Sequence, residues 1–381
     1  MSTPVATSIP IHIDRSVSPK IAGDIALELE ASGVVDYFQT YDQLTNLLPR
    51  ALWRPDVTPL AEATPDCDSF ANGFLLGAFA MARTSTLGLS MTTDAIRMGP
   101  AELAQIALTL ANASGGDTLL MLGAGELKQC RPYGYKRSEG LDRLEDHLRL
   151  FRLLTEADDL IDFEGKCWDY RGAWIGGVHP NVPKLWAMGG GPRLLDLATR
   201  YADGLATAVP CAFSGPEAFG AQVAKVKEQL ERNGRNPESF GFGIWVPTFI
   251  HDDPAEIERA YGNALVRWWA AAFGRFHHGD WAAEGVPMVL PENFHYALKA
   301  IPAQMTRAEL EAIIDPVSRP MLEKSLYVGG AKEVADRIGD YLDAGATQVS
   351  LWDFGPMTCT PEQVPESIGR AVDVCRHLKS R

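Results

Sequence analysis

The sequence has little of what metal and disulfide sites require. Its six cysteines are scattered along the chain and none forms a CxxC pair, so they predict neither a zinc site nor a disulfide framework. His277 and His278 precede Asp280 without the spacing of a helical HExxH metal motif. There is also no GxSxG turn to carry a nucleophilic serine. We therefore expect no bound metal and no serine-hydrolase chemistry.

Positive charge and long apolar runs are scarce as well. A net charge of −14 argues against nucleic acid as a partner, because nucleic-acid-binding proteins present a basic face. No apolar stretch approaches the roughly 20 residues that span a bilayer, so we expect no membrane anchor. The N-terminal residues lack the basic and then apolar pattern of a secretory signal. These absences predict a cytoplasmic protein.

What the sequence does have is a regular alternation of short apolar runs and longer helical patterns. The strands predicted from these runs are residues 9–13, 34–41, 86–92, 118–122, 184–188, 204–209, 240–250 and 348–352. The clearest helical patterns cover residues 100–113, 141–155, 192–201, 216–233 and 331–344. Eight strands with helices between them predict an α/β fold, a (β/α)8 TIM barrel, over residues 1–381 as a single domain. A doubly wound sheet is the structural alternative.

Two segments exceed a minimal barrel. Residues 46–79 follow the second strand and are rich in proline, and residues 252–327 separate strands seven and eight with helices of their own. Trp268, Trp269 and Phe273 repeat at helical spacing in the second segment. They predict an aromatic stripe packed on the barrel or a lid that lines an apolar substrate pocket. Both can hold, because insertions after barrel strands lie on the face that carries the chemistry.

Polar or glycine-rich residues follow four of the predicted strands. The strand-end segments are Tyr41-Asp42-Gln43, Ser90-Met91-Thr92-Thr93-Asp94, Gly123-Ala124-Gly125-Glu126 and Met188-Gly189-Gly190-Gly191. Glycines let a backbone approach a ring or a phosphate, and the last segment runs into a helix that starts with proline, which suits an anion. Each segment alone could be an ordinary turn, but four of them on one rim predict a ligand site.

A basic loop follows Glu126 in this otherwise acidic chain. Its cationic residues are Lys128, Arg131, Lys136 and Arg137. Such a loop suits a phosphate or an acidic tail, and a solvated run of charges is the alternative.

Three stretches together resemble the luciferase-like F420-dependent oxidoreductases. They are LGLSMTTDAIRMGPAELAQ, LGAGE followed by PYG, and AMGGGPRLLDLATRYADG. The motifs are most similar to those of the phthiodiolone and phenolphthiodiolone dimycocerosates ketoreductases. The resemblance runs from about residue 34 to the final helix and is weak in both inserted segments. It implies a luciferase-like barrel, the deazaflavin coenzyme F420 or its alternative FMN, and a homodimer.

The resemblance also assigns residues to the cofactor. Around the deazaflavin ring it places Asp42, Ser90, Met91, Thr93, Ala124, Gly125, Glu126 and Gln129. On the phosphate-bearing chain it places Met188, Gly189, Gly190 and Gly191. The Ser90–Met91 pair would form a bulge behind the ring, where the family often has a non-proline cis peptide.

Glu126 and Gln43 are the catalytic residues that the resemblance implies. Glu126 matches the acidic residue credited with proton transfer, and Gln43 stands where the family usually has a histidine. A glutamine can polarise a carbonyl but cannot titrate near neutral pH. We therefore expect an F420-dependent oxidoreductase, with reduction favoured, that transfers a hydride between the deazaflavin C5 and a ketone, enone or similar apolar substrate. The alternatives are an FMN-dependent monooxygenase on the same barrel and a cofactor-binding protein without catalysis.

Overall fold

Eight parallel strands close into a ring in the computed structural model, which describes residues 5–381. The strands are β1 (Ala6–Pro10), β2 (Tyr37–Tyr41), β3 (Gly88–Asp94), β4 (Thr118–Gly123), β5 (Ile161–Glu164), β6 (Asp169–Ala173), β7 (Lys184–Met188), β8 (Gly204–Ala208), β9 (Gly241–Ile250), β10 (Tyr327–Gly329) and β11 (Gln348–Asp353). The ring runs β1-β2-β3-β4-β7-β8-β9-β11 and returns to β1. β10 extends the end of β9, and β5 and β6 form a separate antiparallel hairpin. The predicted TIM barrel is confirmed.

Helices cover the outside of the ring and one of its ends. They are α1 (Ile21–Ser32), α2 (Leu60–Ala63), α3 (Gly73–Met81), α4 (Pro100–Ala113), α5 (Leu127–Cys130), α6 (Gly140–Glu156), α7 (Pro192–Tyr201), α8 (Pro216–Arg232), α9 (Pro254–Gly262), α10 (Ala264–Ala272), α11 (Asp280–Ala283), α12 (Tyr296–Lys299), α13 (Arg307–Ile314), α14 (Arg319–Ser325), α15 (Ala331–Asp343) and α16 (Val364–Lys379). We call α9 to α14, residues 254–325, the lid. Within residues 5–381, no helix has the length and apolar character to cross a membrane.

Alternating strand residues divide the apolar interior into two cores. Leu89 and Met91 of β3 point outward into the core between the strands and the helices. Met121 and Trp245 belong instead to a second core, which the barrel interior shares with the lid. Successive side chains of a strand point to opposite faces, so one set packs against the outer helices and the other set packs against the lid.

The barrel interior is filled by one large indole and by hydrogen-bonded polar side chains. A Cβ atom at Gly204, Gly241 or Gly243 would collide with the Trp186 ring, so these glycines make room for it. Nearby, Ser8 Oγ donates a hydrogen bond to Gln39 Oε1 at 2.6 Å. The interior is therefore packed, and a ligand site is expected at the ends of the strands.

The first strand differs most from its prediction. The apolar alternation of residues 9–13 predicted a strand there, but β1 is Ala6–Pro10 and pairs with β11 from Ala6 onward. Its early residues Thr7 and Ser8 are fully buried, with the Thr7 side chain bonded to the Val34 carbonyl and Asp36, and the Ser8 side chain bonded to Gln39 inside the barrel, so their polarity hid the strand. Ile11 and Ile13 lie beyond it and pack on the outer core.

The inserted segments also differ in their bounds. Residues 46–79 end inside α3, which packs on α1, β2 and β3 as the helix that connects two barrel strands. The loop that is additional to the barrel is therefore shorter than predicted. Residues 252–327 contain the lid, and they end at β10, which the sequence did not indicate. The β5–β6 hairpin was also missed because its burial alternates over only a few residues.

Candidate active site

The structure brings the four predicted strand ends to one rim. β2, β3, β4 and β7 are consecutive neighbours in the ring and are parallel. Their carboxyl ends therefore open on the same face, where barrel enzymes have their active sites. The lid lies over this face, since its aromatic residues share a core with the ends of the strands. We call the space between the rim and the lid the mouth.

Asp42, the residue predicted at the polar edge of a cofactor ring, is held by an arginine that the motifs did not single out. Arg97 Nη2 lies 2.9 Å from Asp42 Oδ2, and Arg97 Nε lies 2.5 Å from Asp94 Oδ2. Thr93 Oγ1 donates a further hydrogen bond to Asp42 Oδ2 at 3.1 Å. Burial opposes the charge of Arg97, but the two carboxylates raise its pKa above the ordinary value. This closed network fixes the ends of β2 and β3 rather than leaving Asp42 free.

Glu126 and Gln43 meet at a buried lysine. Lys128 Nζ lies 2.9 Å from Glu126 Oε2, and it donates to Gln43 Oε1 at 3.1 Å and to the Thr45 carbonyl at 2.9 Å. The lysine side chain is 1% exposed, whereas Glu126 is 30% exposed. The structure thus places both predicted catalytic residues together, with the carboxylate as the accessible member of an ion pair.

Gln129 has a different position from the one that the resemblance implied. Its Oε1 accepts from the Leu44 backbone N–H and its Nε2 donates to the Thr45 carbonyl, both at 2.7 Å. The side chain is 3% exposed. Because both ends of the amide are bound to the loop after β2, Gln129 supports that loop and has no polar group left for a ring.

Ser90 and Met91 form no bulge. They lie in regular parallel register with both neighbouring strands, and both are fully buried. The only cis peptide among residues 5–381 is Val209–Pro210. The implied cis bond of this pair is therefore wrong, and Met91 points into the outer core, away from the mouth. The implied ring contact of Ser90 stays a prediction. Unbroken pairing on both sides leaves no room for an extra residue.

The two glycine segments lie beside each other. Gly123 pairs directly with Met188, so the segments that follow β4 and β7 start from adjacent points of the rim. Gly125 has a φ of 83°, which few residues other than glycine adopt. Ala124 is nearly buried and contacts the start of α6 through its carbonyl. We call the space between these two segments the cleft; Glu126 follows the first of them directly in sequence.

The predicted aromatic pocket residues are mostly part of the core. Trp268 and Trp269 are 1% and 0% exposed, and Phe273 is 8% exposed. Trp268 Nε1 donates to the Leu47 carbonyl at 2.9 Å. Trp268 and Trp269 are therefore corrected from pocket wall to core anchors of the lid, because packing against the barrel leaves them no open face. Trp352 of β11 contacts the Trp269 ring edge-on, at 4.7 Å between centroids, and is half-buried.

His12 is a residue of the mouth that the motifs missed. It follows β1, its ring contacts the Phe70 ring edge-on at 4.2 Å between centroids, and it stays accessible to solvent. The protein around it nevertheless desolvates the ring, which lowers the pKa of His12 to about 4, against the opposing charge of Asp14. The alternation of Ile11, His12 and Ile13 could have predicted this position, because alternate residues point to opposite faces and the two isoleucines point to the outer core.

One acidic cluster has the composition of a cation site. Ligand atoms of Asp66, Cys67 and Asp68 lie within 4.8 Å of one another. Asp68 already accepts the Asn46 backbone N–H at 2.6 Å, and burial raises the pKa of the Cys67 thiol, which keeps it protonated. These residues hold the loop after β2.

Comparison with known proteins gives the family of the chain. The model of the luciferase-like monooxygenase family matches residues 58–348. A phthiodiolone/phenolphthiodiolone dimycocerosates ketoreductase of Mycobacterium kansasii is 26% identical over 81% of this chain and 84% of its own length. An F420-dependent glucose-6-phosphate dehydrogenase of Mycolicibacterium gilvum is 26% identical over 68% and 70%.

Solved structures share the whole fold. An F420-dependent secondary alcohol dehydrogenase in complex with an F420–acetone adduct superposes with a TM-score of 0.73, 18% identity and coverage of 99% of both chains. A long-chain alkane monooxygenase gives a TM-score of 0.67 at 16% identity, covering 100% of this chain and 92% of its own. The resemblance predicted from the motifs is confirmed, and the chain belongs to the luciferase-like monooxygenase family.

Proposed function

We propose that this protein is a coenzyme F420-dependent oxidoreductase that acts on a carbonyl compound, with reduction as the favoured direction. Relatives that cover most of the chain carry the names ketoreductase and F420-dependent dehydrogenase. The observation that carries the proposal is the glycine cleft between β4 and β7, which opens beside the Glu126–Lys128 pair. A planar ring and a reacting carbonyl would meet at this place.

The cleft fits the phosphate-bearing part of such a coenzyme. Gly191 stands at the start of α7 with Pro192 in its first turn, and a Cβ atom there would meet nothing within 4 Å. A helix start offers unpaired backbone N–H groups and a positive dipole end, which together bind anions. Met188, Gly189, Gly190 and Gly191 would hold the phosphate, as the motifs suggested, and Gly125 would face the ring.

The chain's own chemistry is proton delivery. When bound, reduced F420 supplies the hydride from C5 of its deazaflavin ring, and the carbonyl oxygen then needs a proton. Glu126 is the proposed donor, because it is the accessible carboxyl group beside the cleft. The proton on Lys128 Nζ, 2.9 Å away, would pass to Glu126 Oε2 and from that carboxyl group to the substrate oxygen, which leaves Lys128 neutral until solvent protonates it again. The buried lysine thus acts through Glu126 and not on the substrate directly.

Other mouth residues would bind and orient. Gln43 uses Oε1 to accept from Lys128, so its Nε2 group can donate to a carbonyl oxygen. The Arg97 network holds Asp42 and Thr93 in place for the polar edge of the ring. On the lid side, Phe276 and Trp352 present half-buried aromatic faces, which exclude water and favour an apolar substrate body.

A pair of titrations tests the cofactor. Purified protein is titrated with F420 and separately with FMN, and binding is followed by fluorescence. We expect F420 to bind with at least a tenfold preference, and Gly190→Leu, which fills the cleft, to weaken it while the fold stays intact by circular dichroism. Tight binding of FMN with F420 ignored would contradict the proposal.

A second candidate is an FMN-dependent monooxygenase. It is favoured by the family description and by structural similarity to a long-chain alkane monooxygenase. Oxygen consumption that is coupled to substrate turnover, with FMN present, would support this candidate. Turnover that proceeds at full rate without oxygen would support the F420 reductase.

A further inference from the structure

Arg137 is a cation that forms no ion pair with a carboxylate among residues 5–381. It lies half-buried in the loop after β4, and its buried Nε has no hydrogen-bond partner among residues 5–381. Glu139, the nearest acid in the same loop, pairs with Lys136 and Arg143 instead. Desolvation lowers the pKa of Arg137, an effect that Cys130 and Glu126 only partly oppose. Burying an unpaired guanidinium costs free energy.

The other buried arginines of this end of the molecule are fully engaged. Arg97 binds Asp42 and Asp94. Arg275, 2% exposed, pairs with Glu284 at 2.6 Å. The acids close to Arg137 are likewise taken, since Asp94 is held by Arg97 and Glu126 by Lys128. Arg137 therefore brings a surplus positive charge to the mouth of an acidic protein.

The lid adds two more polar groups without partners at the same place. Tyr296 Oη and His295 Nδ1 are buried and have no hydrogen-bond partner in the part of the chain that the structure describes. Both residues stand at the start of α12, which contacts α5 directly after Glu126. The charge of Glu126 contributes to the pKa of Tyr296, His295 and Arg137 alike, which agrees with the contact between α12 and α5 that brings the start of α12 to the loop after β4.

We propose that Arg137, with Tyr296 and His295 of the lid, forms a binding site for an acidic group of the substrate, a carboxylate carried on the same molecule as the reacting carbonyl. A guanidinium binds a carboxylate through two parallel N–H donors. The tyrosine hydroxyl and the imidazole N–H supply further donors once the lid covers the ligand. The substrate class would then be oxo acids with an apolar body, and this refinement rests on the proposed function.

A matched pair of probes tests the site. Benzoylpropionate and its methyl ester differ only in the charge of the acid, and both carry an aryl ketone. Binding of each to cofactor-free protein is measured by calorimetry, and turnover of each is measured with reduced F420. The variants are Arg137→Gln and, as control, Arg131→Gln, an exposed arginine of the same loop.

We expect the wild-type protein to prefer the acid, and Arg137→Gln to weaken acid binding and raise its KM by about 10- to 100-fold. The ester and the Arg131→Gln control should change by less than about threefold, and Tyr296→Phe should weaken acid binding less than Arg137→Gln does. Equal binding of acid and ester in both assays would overturn the site. The calorimetric comparison holds even if F420 does not bind, so failure of the proposed function is recognised separately.

The same variant distinguishes the source of the anion. F420 and its riboside, which lacks the phosphate-bearing tail, are each titrated into wild type and Arg137→Gln. Unchanged affinity for both supports a substrate site. Loss of F420 affinity with the riboside unaffected would assign Arg137 to the coenzyme and overturn the substrate assignment.

Discussion

The two sides of the mouth differ in whether their arginines are paired with carboxylates. On the β2–β3 side, Arg97 joins Asp42 and Asp94 in a closed network whose charges are balanced. On the side of β4 and the lid, Arg137 is half-buried, and its Nε atom and Tyr296 Oη are buried without a hydrogen-bond partner among residues 5–381. Polar groups that have partners stabilise the barrel rim. Buried polar groups without partners lower the stability of the protein until a ligand binds them. The difference separates an arginine that is paired within the protein from one that we propose binds a ligand.

The strongest test of this comparison removes each arginine in turn. Arg97→Met leaves two carboxylates unpaired in a site that is about nine-tenths buried, so we expect the free energy of unfolding to fall by about 3–5 kcal/mol. Arg137→Met removes a charge that nothing balances, and we expect a change of less than about 1 kcal/mol. Urea unfolding without ligands measures both. Equal losses in the two variants would break the distinction.

His278 on the lid side gives a pH-dependent version of the same contrast. It is fully buried, Nε2 accepts from the Leu290 N–H at 3.0 Å, and Nδ1 lacks a partner among residues 5–381. Burial lowers the pKa of His278 to about 4. Its unfolded pKa is higher, near 6.5, so the folded state binds fewer protons and stability is lost as the pH falls from 6.5 towards 4.

The expected loss from this group is about 3 kcal/mol over that pH range. His278→Gln keeps an acceptor for Leu290 but cannot titrate, so the difference in unfolding free energy between variant and wild type should shrink or reverse as the pH falls. Chemical denaturation at several pH values measures it. A difference that stays constant from pH 7 to pH 4 would mean that His278 is not held neutral by the lid.

The variant Glu126→Gln tests the proposed proton donor, which lies between the two sides of the mouth. The variant keeps the shape and the hydrogen bond to Lys128 but has no proton to give, so we expect kcat with reduced F420 to fall by about 100-fold or more. The affinity for F420 should stay within about threefold. Glu139→Gln, in the same loop, is the control and should leave kcat unchanged. Full turnover by Glu126→Gln would remove it as the proton donor.

The smallest expected effect belongs to His12, which has a free imidazole but lies outside the lid. His12→Asn should lower kcat/KM by about tenfold through the loss of a hydrogen-bonding group in the mouth. Since the pKa of His12 is about 4, the imidazole is neutral from pH 5 to pH 8, and the pH profile should keep its shape in this variant. An inflection near pH 6.5 that disappears in His12→Asn would contradict the neutral assignment.

The barrel could be predicted from the sequence because strands covered on both faces are rich in apolar residues, and seven of the eight barrel strands lie mostly within the predicted segments. β1 does not, because Thr7 and Ser8 are polar residues that form hydrogen bonds on opposite faces of the strand. The glycine segments were also predictable, since a turn that admits a ligand must lack side chains. Local sequence patterns thus predict the strands and the turns that surround the site.

Ionic pairing in the mouth could not be read from local patterns. Lys128 meets Gln43 across 85 positions of sequence, and nothing near either residue indicates that contact. The basic loop was visible as four cations, but which of them finds a partner depends on the acids that folding brings near. Only the structure separates Lys136, which pairs with Glu139, from Arg137, which does not.

Transfer of a labelled hydride tests the central claim most directly. Reduced F420 that carries deuterium at C5 is mixed with the protein and an aryl ketone without oxygen, and the alcohol product is examined by mass spectrometry. The account predicts one deuterium on the carbinol carbon and a rate that does not depend on oxygen. A product without deuterium, or turnover that requires FMN and consumes oxygen, would contradict it.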